Sequence, residues 1–489
     1  MKLEEFFEKK GYSVKEKLAY EPYINLFNSW YKGKVKGFHS YWIYNRPGKK
    51  VKRERRSMQM AKKVCEDWAD LLFNEKVEIK LPNDEDNLKL QDLMKDLKLV
   101  TTINKGIEKS FALGTGALVL SVQNMKTDGN TLNVVDAKLF VEFVSASKIY
   151  PLSWSNEEIT ECAFVTNKKE KGQSYVYISM HLINKEGNYE IQNYKFKDVN
   201  GTLEDAKDDG ILETFNTQNN IPWFTIIKPN ICNNIDFESP FGISVFANSI
   251  HTLMNLDDIY DSKDLEVVLG RRRTFISEDM ITYQSENGEL TPVFDANDIS
   301  VYVLPKGFNK DQMIVSDNDG LRTGSMIDDL NCELNVLSSK VGFGNERYKF
   351  DKGDIQTATG VISANSDMFR TIKKHENVLE YALIELIEAL IYASTTFTPN
   401  KFSKTDAEIK IDFDDSIIED KGQEQLRAQS EVSAGLRSKQ DYMASIRNLN
   451  DDQIKKELEQ ITSEKQSNMG AFGFNNVNEE AVWFQKKTF

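Results

Sequence analysis

The sequence predicts an α+β fold, and three stretches of the chain carry that prediction. Apolar residues recur at three- and four-residue spacing up to about residue 112 and again from residue 243, as in amphipathic helices. Between residues 117 and 224 the pattern changes to short runs rich in β-branched and aromatic residues, separated by turn signals. We therefore expect an antiparallel sheet supported by helices.

Length and composition indicate a globular protein. The chain has 489 residues, with 62 Lys and Arg against 76 Asp and Glu, which gives a formal net charge of −14. This length suits about three compact units, at roughly 150 residues each. The longest apolar-rich run, residues 381–393, is interrupted by Glu385 and Glu388, and a spanning helix needs ~20 residues. With no apolar secretory segment at the amino terminus either, we expect no membrane partner.

No motif in the sequence indicates catalysis, nucleotide binding or a metal site. The cysteines, Cys65, Cys162, Cys232 and Cys332, lie far apart and are expected to be reduced thiols, buried or inert. The Gly114-Thr115-Gly116 sequence follows a helical pattern and precedes a strand pattern. Phosphate binding needs the reverse order, because the helix amino terminus holds the anion. We predict a turn there, no enzyme activity and no cofactor.

The first 82 residues contain a basic run within an acidic protein. Nine basic residues lie between Arg46 and Lys63, against the single acid Glu54. The run favours either an anion-binding patch, with nucleic acid as one candidate, or a solvated lead-in to the next helix. That helix is predicted over residues 61–72, and a second one from residue 88 to about residue 112.

Four strands are predicted in the middle of the chain, with turns at residues 128–130, 186–188 and 200–201. The strands cover residues 117–122, 140–144, 175–183 and 189–196. A polar stretch at residues 342–364 and an amphipathic helix with apolar positions from Met368 to Ile391 come later. Alternation over residues 407–413 indicates another strand. The end, residues 467–489, has no periodicity and is expected to be loose or ordered only by a partner.

A helical pair with a small β insertion is predicted after Pro240. One helix runs from Gly242 to Gly270, and its outward positions hold four aspartates: Asp257, Asp258, Asp261 and Asp264. The basic triplet Arg271, Arg272 and Arg273 follows, then a strand-and-turn stretch to residue 325 and a second helix over 326–341. Such a pair cannot bury its apolar stripe on itself, so we expect it to pack against neighbouring subunits.

Several stretches of the chain, taken in order, resemble the portal proteins of tailed bacteriophages, particularly those of siphophages infecting Gram-positive bacteria. The resembling stretches are YWIYNRPGKK, RRSMQMAKKVCEDWADLLFNEKVEI, GTGALVL, KIYPLSW, SPFGISVFANSIHTLMNLDDIYDS, GFGNERYKFDKGDIQTATGVISANSDMFRTIKKHENVLEYALIELIEAL and KIDFDDSIIED. They span about residues 41–431. Their order and joint presence carry the resemblance, since none is a catalytic signature.

The resemblance implies a homo-oligomeric ring, usually of twelve copies, at one capsid vertex. It implies a helix-rich wing with an antiparallel sheet, a two-helix stem, a small β-containing clip and a helical crown. The corresponding ranges are 1–241 for the N-terminal region and wing, 242–270 and 326–341 for the stem helices, 271–325 for the clip, 342–365 for the tunnel loop, 366–420 for the return to the wing, 421–466 for the crown and 467–489 for the tail.

The resemblance also implies site residues and partners. Double-stranded DNA would pass through the ring, with the tunnel-loop residues Arg347, Lys349 and Lys352 facing the channel. The stem aspartates would form negative rings or pairs between subunits, and Arg271 to Arg273 would meet a partner at the clip. Implied partners are a separate terminase that supplies ATP hydrolysis, a head-completion or adaptor protein, and capsid and scaffold proteins. The location would be the virion, and the host cytoplasm during assembly.

Other interpretations stay open at this point. The charged residues are equally compatible with ordinary surface charge or, for the arginine triplet, with ion pairs to a neighbouring subunit. Another head–tail connector or minor capsid protein is the alternative assembly role, although adaptors are usually much shorter than this chain. A packaging enzyme such as a nuclease or ATPase is disfavoured, because the sequence lacks nucleotide and metal motifs.

Overall fold

A computed structural model describes residues 1–44, 48–74, 76–123, 126–128, 131–133, 137–206, 212–269, 273–277, 283–286, 289–292, 301–304, 314–317, 320–345, 347–349, 358–404, 408–413, 421–445 and 454–461. The chain divides into two compact units, residues 1–414 and 415–489. The predicted tail, residues 467–489, lies outside the described residues. The fold is α+β, as predicted, with helices and mostly antiparallel sheets in the first unit.

Helices dominate the amino-terminal part of the first unit. Its elements are α1 (Leu3–Lys9), α2 (Lys15–Tyr31), β1 (Ser40–Tyr44), β2 (Lys50–Glu54), α3 (Met60–Leu72), β3 (Glu78–Lys80), α4 (Asp84–Asp96) and α5 (Leu99–Leu113). Strands β1 and β2 form an antiparallel hairpin, and only β2 lies within the predicted basic run. The single helix predicted over residues 88–112 is wrong, because Lys98 adopts a left-handed conformation (φ 51°) that ends α4 and starts α5 in a new direction.

Two larger antiparallel sheets and one two-stranded pair share the middle of the chain. The strands are β4 (Gly116–Gln123), β5 (Lys126–Asp128), β6 (Thr131–Asn133), β7 (Lys138–Ser145), β8 (Ile149–Ser155), β9 (Glu158–Glu170), β10 (Gln173–Ile183), β11 (Tyr189–Val199), β12 (Thr202–Asp205), β13 (Thr214–Asn216) and β14 (Phe224–Ile227). Strands β8 to β12 form a meander, and β14, β4 and β7 form a second sheet. The single sheet expected for the four predicted strands is therefore wrong: two of them are β10 and β11 in the meander, and the other two are β4 and β7 in the second sheet. Val119, Phe164 and Phe224 join the two sheets in one buried cluster.

The Gly114-Thr115-Gly116 sequence forms the predicted turn, and it also holds a second segment in place. Gly114 ends α5 with φ 83°, and a Cβ on it would lie 2.3 Å from the carbonyl oxygen of Gly242. A Cβ on Gly242 would lie 2.5 Å from the carbonyl oxygen of Gly114. Thr115 Oγ1 accepts a hydrogen bond from the Gly242 backbone N–H at 3.0 Å. The two glycines therefore allow direct contact between two backbones.

That contact explains why the helix predicted from Gly242 begins later, at Ile250. The N–H of Val245 and the hydroxyl of Ser244 both donate to the carbonyl of Phe111 at the end of α5, at 3.0 and 3.1 Å. Because a helix leaves its last carbonyls without internal partners, α5 captures these donors and keeps the segment non-helical. Helix α6 is therefore Ile250–Leu269, and the predicted cap Gly270 lies outside the described residues.

Helix α7 (Thr323–Lys340) packs beside α6, and a β insertion connects the two. The insertion contains β15 (Arg273–Ser277), β16 (Tyr283–Glu286), β17 (Glu289–Pro292), β18 (Val301–Leu304) and β19 (Ile314–Asp317). Strand β15 pairs parallel with β18 and antiparallel with β19. Helix, small β insertion, helix is the order that the sequence predicts.

Helix α8 (Ala358–Phe397) begins inside the stretch predicted as a loop. The loop prediction is therefore wrong for residues 358–364. Gly360 costs the helix only about 1 kcal/mol relative to Ala, and extending an existing helix gains one hydrogen bond per residue. Strand β20 (Lys410–Asp412) then pairs with β3. The second unit contains α9 (Lys421–Ser433), α10 (Lys439–Ser445) and a helical segment at residues 454–461.

Candidate functional site

The four aspartates predicted on α6 all contact one segment of the same chain, residues 39–58. Asp258 binds the Arg55 guanidinium at 3.1 Å, and Asp264 binds that of Arg56 at 2.7 Å. Asp261 accepts a hydrogen bond from the Arg56 backbone N–H at 3.2 Å. At 3.6 residues per turn these aspartates share one side of α6, so a single extended segment reaches them all.

The outward position predicted for Asp257 is wrong, because its side chain is buried against residues 39–58. Its carboxylate accepts a hydrogen bond from the Met58 backbone N–H at 2.7 Å and lies 2.8 Å from His39 Nε2. The Val35 N–H donates to His39 Nδ1 at 2.9 Å, so Nδ1 is the acceptor nitrogen and Nε2 carries the proton that Asp257 accepts. His39 is thus a satisfied structural histidine that fixes α6 to the amino-terminal region.

Four residues of the basic run, Arg55, Arg56, Lys62 and Lys63, therefore face acids of their own chain. Arg55 also donates from its guanidinium to the Phe38 carbonyl and stacks over the Phe38 ring. Farther along, Lys62 pairs with Glu66 and Glu108, and Lys63 pairs with Asp67. These residues are not a free anion-binding patch, although the side chains of Arg56, Lys62 and Lys63 stay partly exposed to solvent. The basic residues Arg55, Arg56, Lys62 and Lys63, which stand out in an acidic sequence, therefore form contacts within the chain.

The opposite side of α6 carries polar contacts to α7. Arg322 binds the Glu266 carboxylate through two guanidinium nitrogens, at 3.1 and 2.9 Å, and its backbone N–H also donates to this carboxylate. The hydrogen bonds from Arg322 lower the pKa of Glu266. Asn255 and Glu333 join the two helices about three turns away, nearer the start of α6. Helix α6 thus lies between α7 and residues 39–58.

The described part of the predicted tunnel loop is anchored by aromatic residues. Phe343 is buried and stacks on Trp68 of α3, with ring centroids 4.5 Å apart. Trp68 Nε1 donates to the Val341 carbonyl at 3.2 Å, and Tyr348 donates its hydroxyl to Asp67 at 2.9 Å. Burial and the Asp67 carboxylate raise the pKa of Tyr348, so this phenol stays protonated. The segment leaving α7 is therefore fixed to α3.

Of the predicted channel residues, Arg347 is exposed and Lys349 is half-buried in this anchored segment. Lys352 lies outside the described residues, as do Arg271 and Arg272. Arg273 begins β15, where its backbone pairs with that of Asp317. The roles given to these residues stay predictions. Gly342 and Gly344 have φ values of 90° and 72°, which glycine adopts without strain.

The sequence did not reveal the contact between residues 39–58 and α6. Both halves were visible as charge patterns, an acidic side of α6 and a basic run about 200 residues earlier, and each was interpreted separately. Opposite charge on two segments was the available signal. The stacking of Phe343 on Trp68 had no comparable signal, because both aromatic residues fit ordinary core positions.

Two further features concern membranes and metals. No helix in the part of the chain that the structure describes is both long and apolar enough to cross a bilayer. Over the same residues, no three His, Cys, Asp or Glu side chains are grouped so that they could hold a metal ion. Cys65 and Cys162 are buried, and Cys232 and Cys332 are exposed and unpaired with other cysteines.

The chain, with its sheets, flanking helices and a helical pair that carries a β insertion, belongs to the phage portal proteins, as a family match over most of its length shows. Within that class it matches the family described as "Phage portal protein, SPP1 Gp6-like" over residues 12–471, and it is a member of that family. Membership makes the chain a structural component of a phage particle. No protein with a curated description matches it.

Two solved structures show weak similarity to the chain. One is described as the virion of a native gene transfer agent (GTA) particle, with 12% sequence identity and a TM-score of 0.40. The other is described as the neck of a native GTA particle computed with C12 symmetry, with 13% identity and a TM-score of 0.38. In both cases the match covers 79% of this chain and 88% of the other chain.

Proposed function

We propose that this portal protein assembles as a ring of twelve copies at one capsid vertex and forms the conduit for double-stranded DNA during genome packaging and ejection. The observation that carries the proposal is the pair α6 and α7 with its β insertion, in a chain that matches a portal family over residues 12–471. In this arrangement α6 and α7 form the stem, the insertion forms the clip, and the sheets with their helices form the wing.

The charge of the chain supports passage of DNA rather than tight binding. Each phosphate contact adds a salt-dependent contribution to affinity, so a strongly basic channel would hold DNA and stall it. With a net charge of −14 per copy, most of the surface repels DNA, and a few basic residues provide weak, equivalent contacts at every register. Arg347, Lys349 and Lys352 are the proposed contacts in the channel.

A separate motor follows from the lack of a nucleotide-binding motif in the sequence. We assign ATP hydrolysis to a terminase that docks on the clip, where Arg271 to Arg273 are the proposed docking residues. The same end of the ring would later receive a head-completion or adaptor protein, and the wing would meet capsid and scaffold proteins. The portal then supplies geometry and no catalysis.

Negative-stain electron microscopy of the purified full chain tests the proposal. Rings with a central hole are the expected images, with a copy number obtained from class averages. A monodisperse monomer at every protein and salt concentration would overturn the proposal. An assay for ATP turnover and DNA nicking on the same sample tests the enzyme alternative, and we expect neither activity.

A further inference from the structure

The hairpin β1–β2 exposes an aromatic and basic face. Register pairs Trp42 with Lys52 and Tyr44 with Lys50, so these four side chains lie on the same face. The exposed Glu54 shares this face and pairs with Lys52 at 3.0 Å, which leaves the face with an excess of one basic residue. Trp42 is 57% exposed and Tyr44 is 72% exposed, and the Lys50 ammonium lies 4.9 Å from the centre of the Trp42 ring. Large exposed aromatic side chains are typical of protein interfaces.

The hairpin also lacks the support that a stable sheet normally has. It is a two-stranded sheet, and among the described residues no third strand pairs with either edge. An isolated hairpin is marginal in water, and open edges invite pairing or coverage. Arg55 and Arg56 attach only its base to α6. The face that contains Trp42 and Tyr44 is therefore a surface that would gain stability from a partner.

Helix α7 exposes a face of opposite charge. From Thr323 to Ser339 it contains three acids and no Lys or Arg. Asp328, Asp329, Cys332 and Val336 are exposed, and at 3.6 residues per turn they share one side of the helix. Leu330, Leu334 and Leu337 are buried on the other side. The exposed side of α7 has acids towards its amino end, followed by Cys332 and Val336, and the helix ends at the exposed Lys340. Its acids and apolar side chains complement the lysines and aromatic rings of the hairpin.

The hairpin face and the exposed face of α7 lie on opposite sides of α6, which suits a contact that repeats from one copy to the next. Segment 39–58 covers one side of α6, and α7 covers the opposite side through Asn255–Glu333 and Glu266–Arg322. Each copy thus has a basic, aromatic element on one side of α6 and an acidic helix face on the other. A contact between unlike faces of identical subunits repeats, and it closes into a ring when the rotation allows it.

We propose that the β1–β2 face of one copy docks on the exposed face of α7 of the next copy, with Trp42 and Tyr44 over Val336 and Cys332, and Lys50 and Lys52 near Asp328 and Asp329. This inference rests on the ring proposed above and identifies one of its subunit contacts. A second copy is the occupant because the chain itself supplies the complementary acidic face. Nucleic acid would also attract the lysines, and the experiments below separate the two.

Cross-linking tests the contact directly, because Cys332 is already present on α7. In a Cys232→Ser background, one protein combines Tyr44→Cys with Cys332→Ser, and a second protein keeps Cys332 alone. After coassembly, a short bismaleimide should link the two proteins into heterodimers. A matched control replaces Tyr44→Cys by Val199→Cys, an exposed position on β11, and should give no link. Equal yields from both pairs would overturn the contact.

Charge-reversing substitutions test the proposed contact through the protein concentration at which half of the chains assemble. Lys50→Glu with Lys52→Glu, or Asp328→Lys with Asp329→Lys, should raise the concentration for half-assembly about tenfold, whereas the four changes together should restore it. Lys169→Glu with Lys171→Glu changes the same charge on the meander and serves as the control.

The outcomes distinguish this contact from the ring itself. Rings in negative stain without a specific cross-link and without rescue would overturn the contact and leave the proposed function intact. Loss of DNA retention in the Lys50→Glu, Lys52→Glu protein, with its half-assembly concentration unchanged, would assign the hairpin to nucleic acid and also overturn the contact. Absence of rings from the unchanged chain would overturn both proposals.

Discussion

At the residue scale, Asp257 and Asp258 are neighbours on α6 with different environments. Asp257 is buried and accepts from both His39 and Met58, whereas the Asp258 side chain is 60% exposed beside Arg55. Removing a buried acceptor leaves two donors without partners, and desolvated donors are costly. An exposed ion pair contributes little, because water and salt screen it. The same substitution at these two neighbouring positions therefore compares a buried contact with an exposed one.

We predict that Asp257→Ala lowers the free energy of unfolding by about 3 kcal/mol and that Asp258→Ala lowers it by less than about 1 kcal/mol. Urea unfolding of the two variants and the unchanged chain, under one set of conditions, measures both values. Similar losses for the two variants would show that Asp257 does not fix α6 to residues 39–58.

His181 is a buried histidine whose Nδ1 has no hydrogen-bond partner. Phe164 and Phe224 lie edge-on to its ring, and burial lowers its pKa to about 3. In the unfolded chain its pKa is near 6.5, so below that value the unfolded state binds a proton that the folded state excludes. Stability is therefore lost as the pH falls from about 6.5 towards 3.

The predicted contribution of His181 to this loss is about 2 kcal/mol at pH 5. His181→Leu removes the titrating group and keeps a similar volume, so its stability relative to the unchanged chain should rise by that amount between pH 7.5 and pH 5. His251→Leu is the control, because His251 is exposed. An equal pH dependence in all three proteins would contradict the assignment.

At the element scale, the backbone contact between the end of α5 and residues 242–245 sets where α6 begins. We predict that Gly242→Ala lowers the free energy of unfolding by about 3 kcal/mol, since its Cβ would meet a backbone oxygen that cannot move alone. Gly187→Ala, in the β10–β11 turn, has open space around its Cβ and should cost only about 1 kcal/mol for its positive φ. Thermal unfolding of both variants and of the unchanged chain measures the two losses of stability.

Elements with strong periodicity were predictable, and the exceptions have physical causes. Strands β10 and β11 followed from alternation and from turn residues such as Gly187 and Gly201, both of which have positive φ. The division of the four predicted strands between two sheets did not follow from the sequence. The break at Lys98 was not predictable, because neither Gly nor Pro marks it. The start of α6 was not predictable either, since it depends on the distant carbonyl of Phe111. Tertiary contacts overrode local preference at both places.

At the scale of the whole molecule, the distribution of charged residues describes the surface better than the net charge does. Part of the acidic surface expected on α6 is neutralised by Arg55 and Arg56 within the chain, whereas α7 keeps exposed acids. The sequence predicted an acidic protein with a basic run, and it could not reveal which charges meet, because ion pairs form between segments about 200 residues apart. The site residues were therefore predicted less completely than the fold.

The proposed channel gives a prediction at this scale. Lys349→Glu with Lys352→Glu should change the packaged genome length or the retention of DNA in assembled particles, because two basic contacts per copy become repulsive. Lys185→Glu, on the exposed turn between β10 and β11, is the control for altered charge. Values equal to those of the unchanged chain for both genome length and retention would contradict the tunnel-loop assignment.

The contact between residues 39–58 and α6 also sets an order of events during translation. Asp257 is synthesised 199 residues after Met58 and 218 residues after His39. At about 5–20 residues per second, the ribosome needs roughly 10–40 s to supply this partner. During that interval the nascent basic segment has no α6 to bind, and the amino-terminal helices can form first. The buried His39–Asp257 contact therefore forms only after the strands between these two residues have been synthesised.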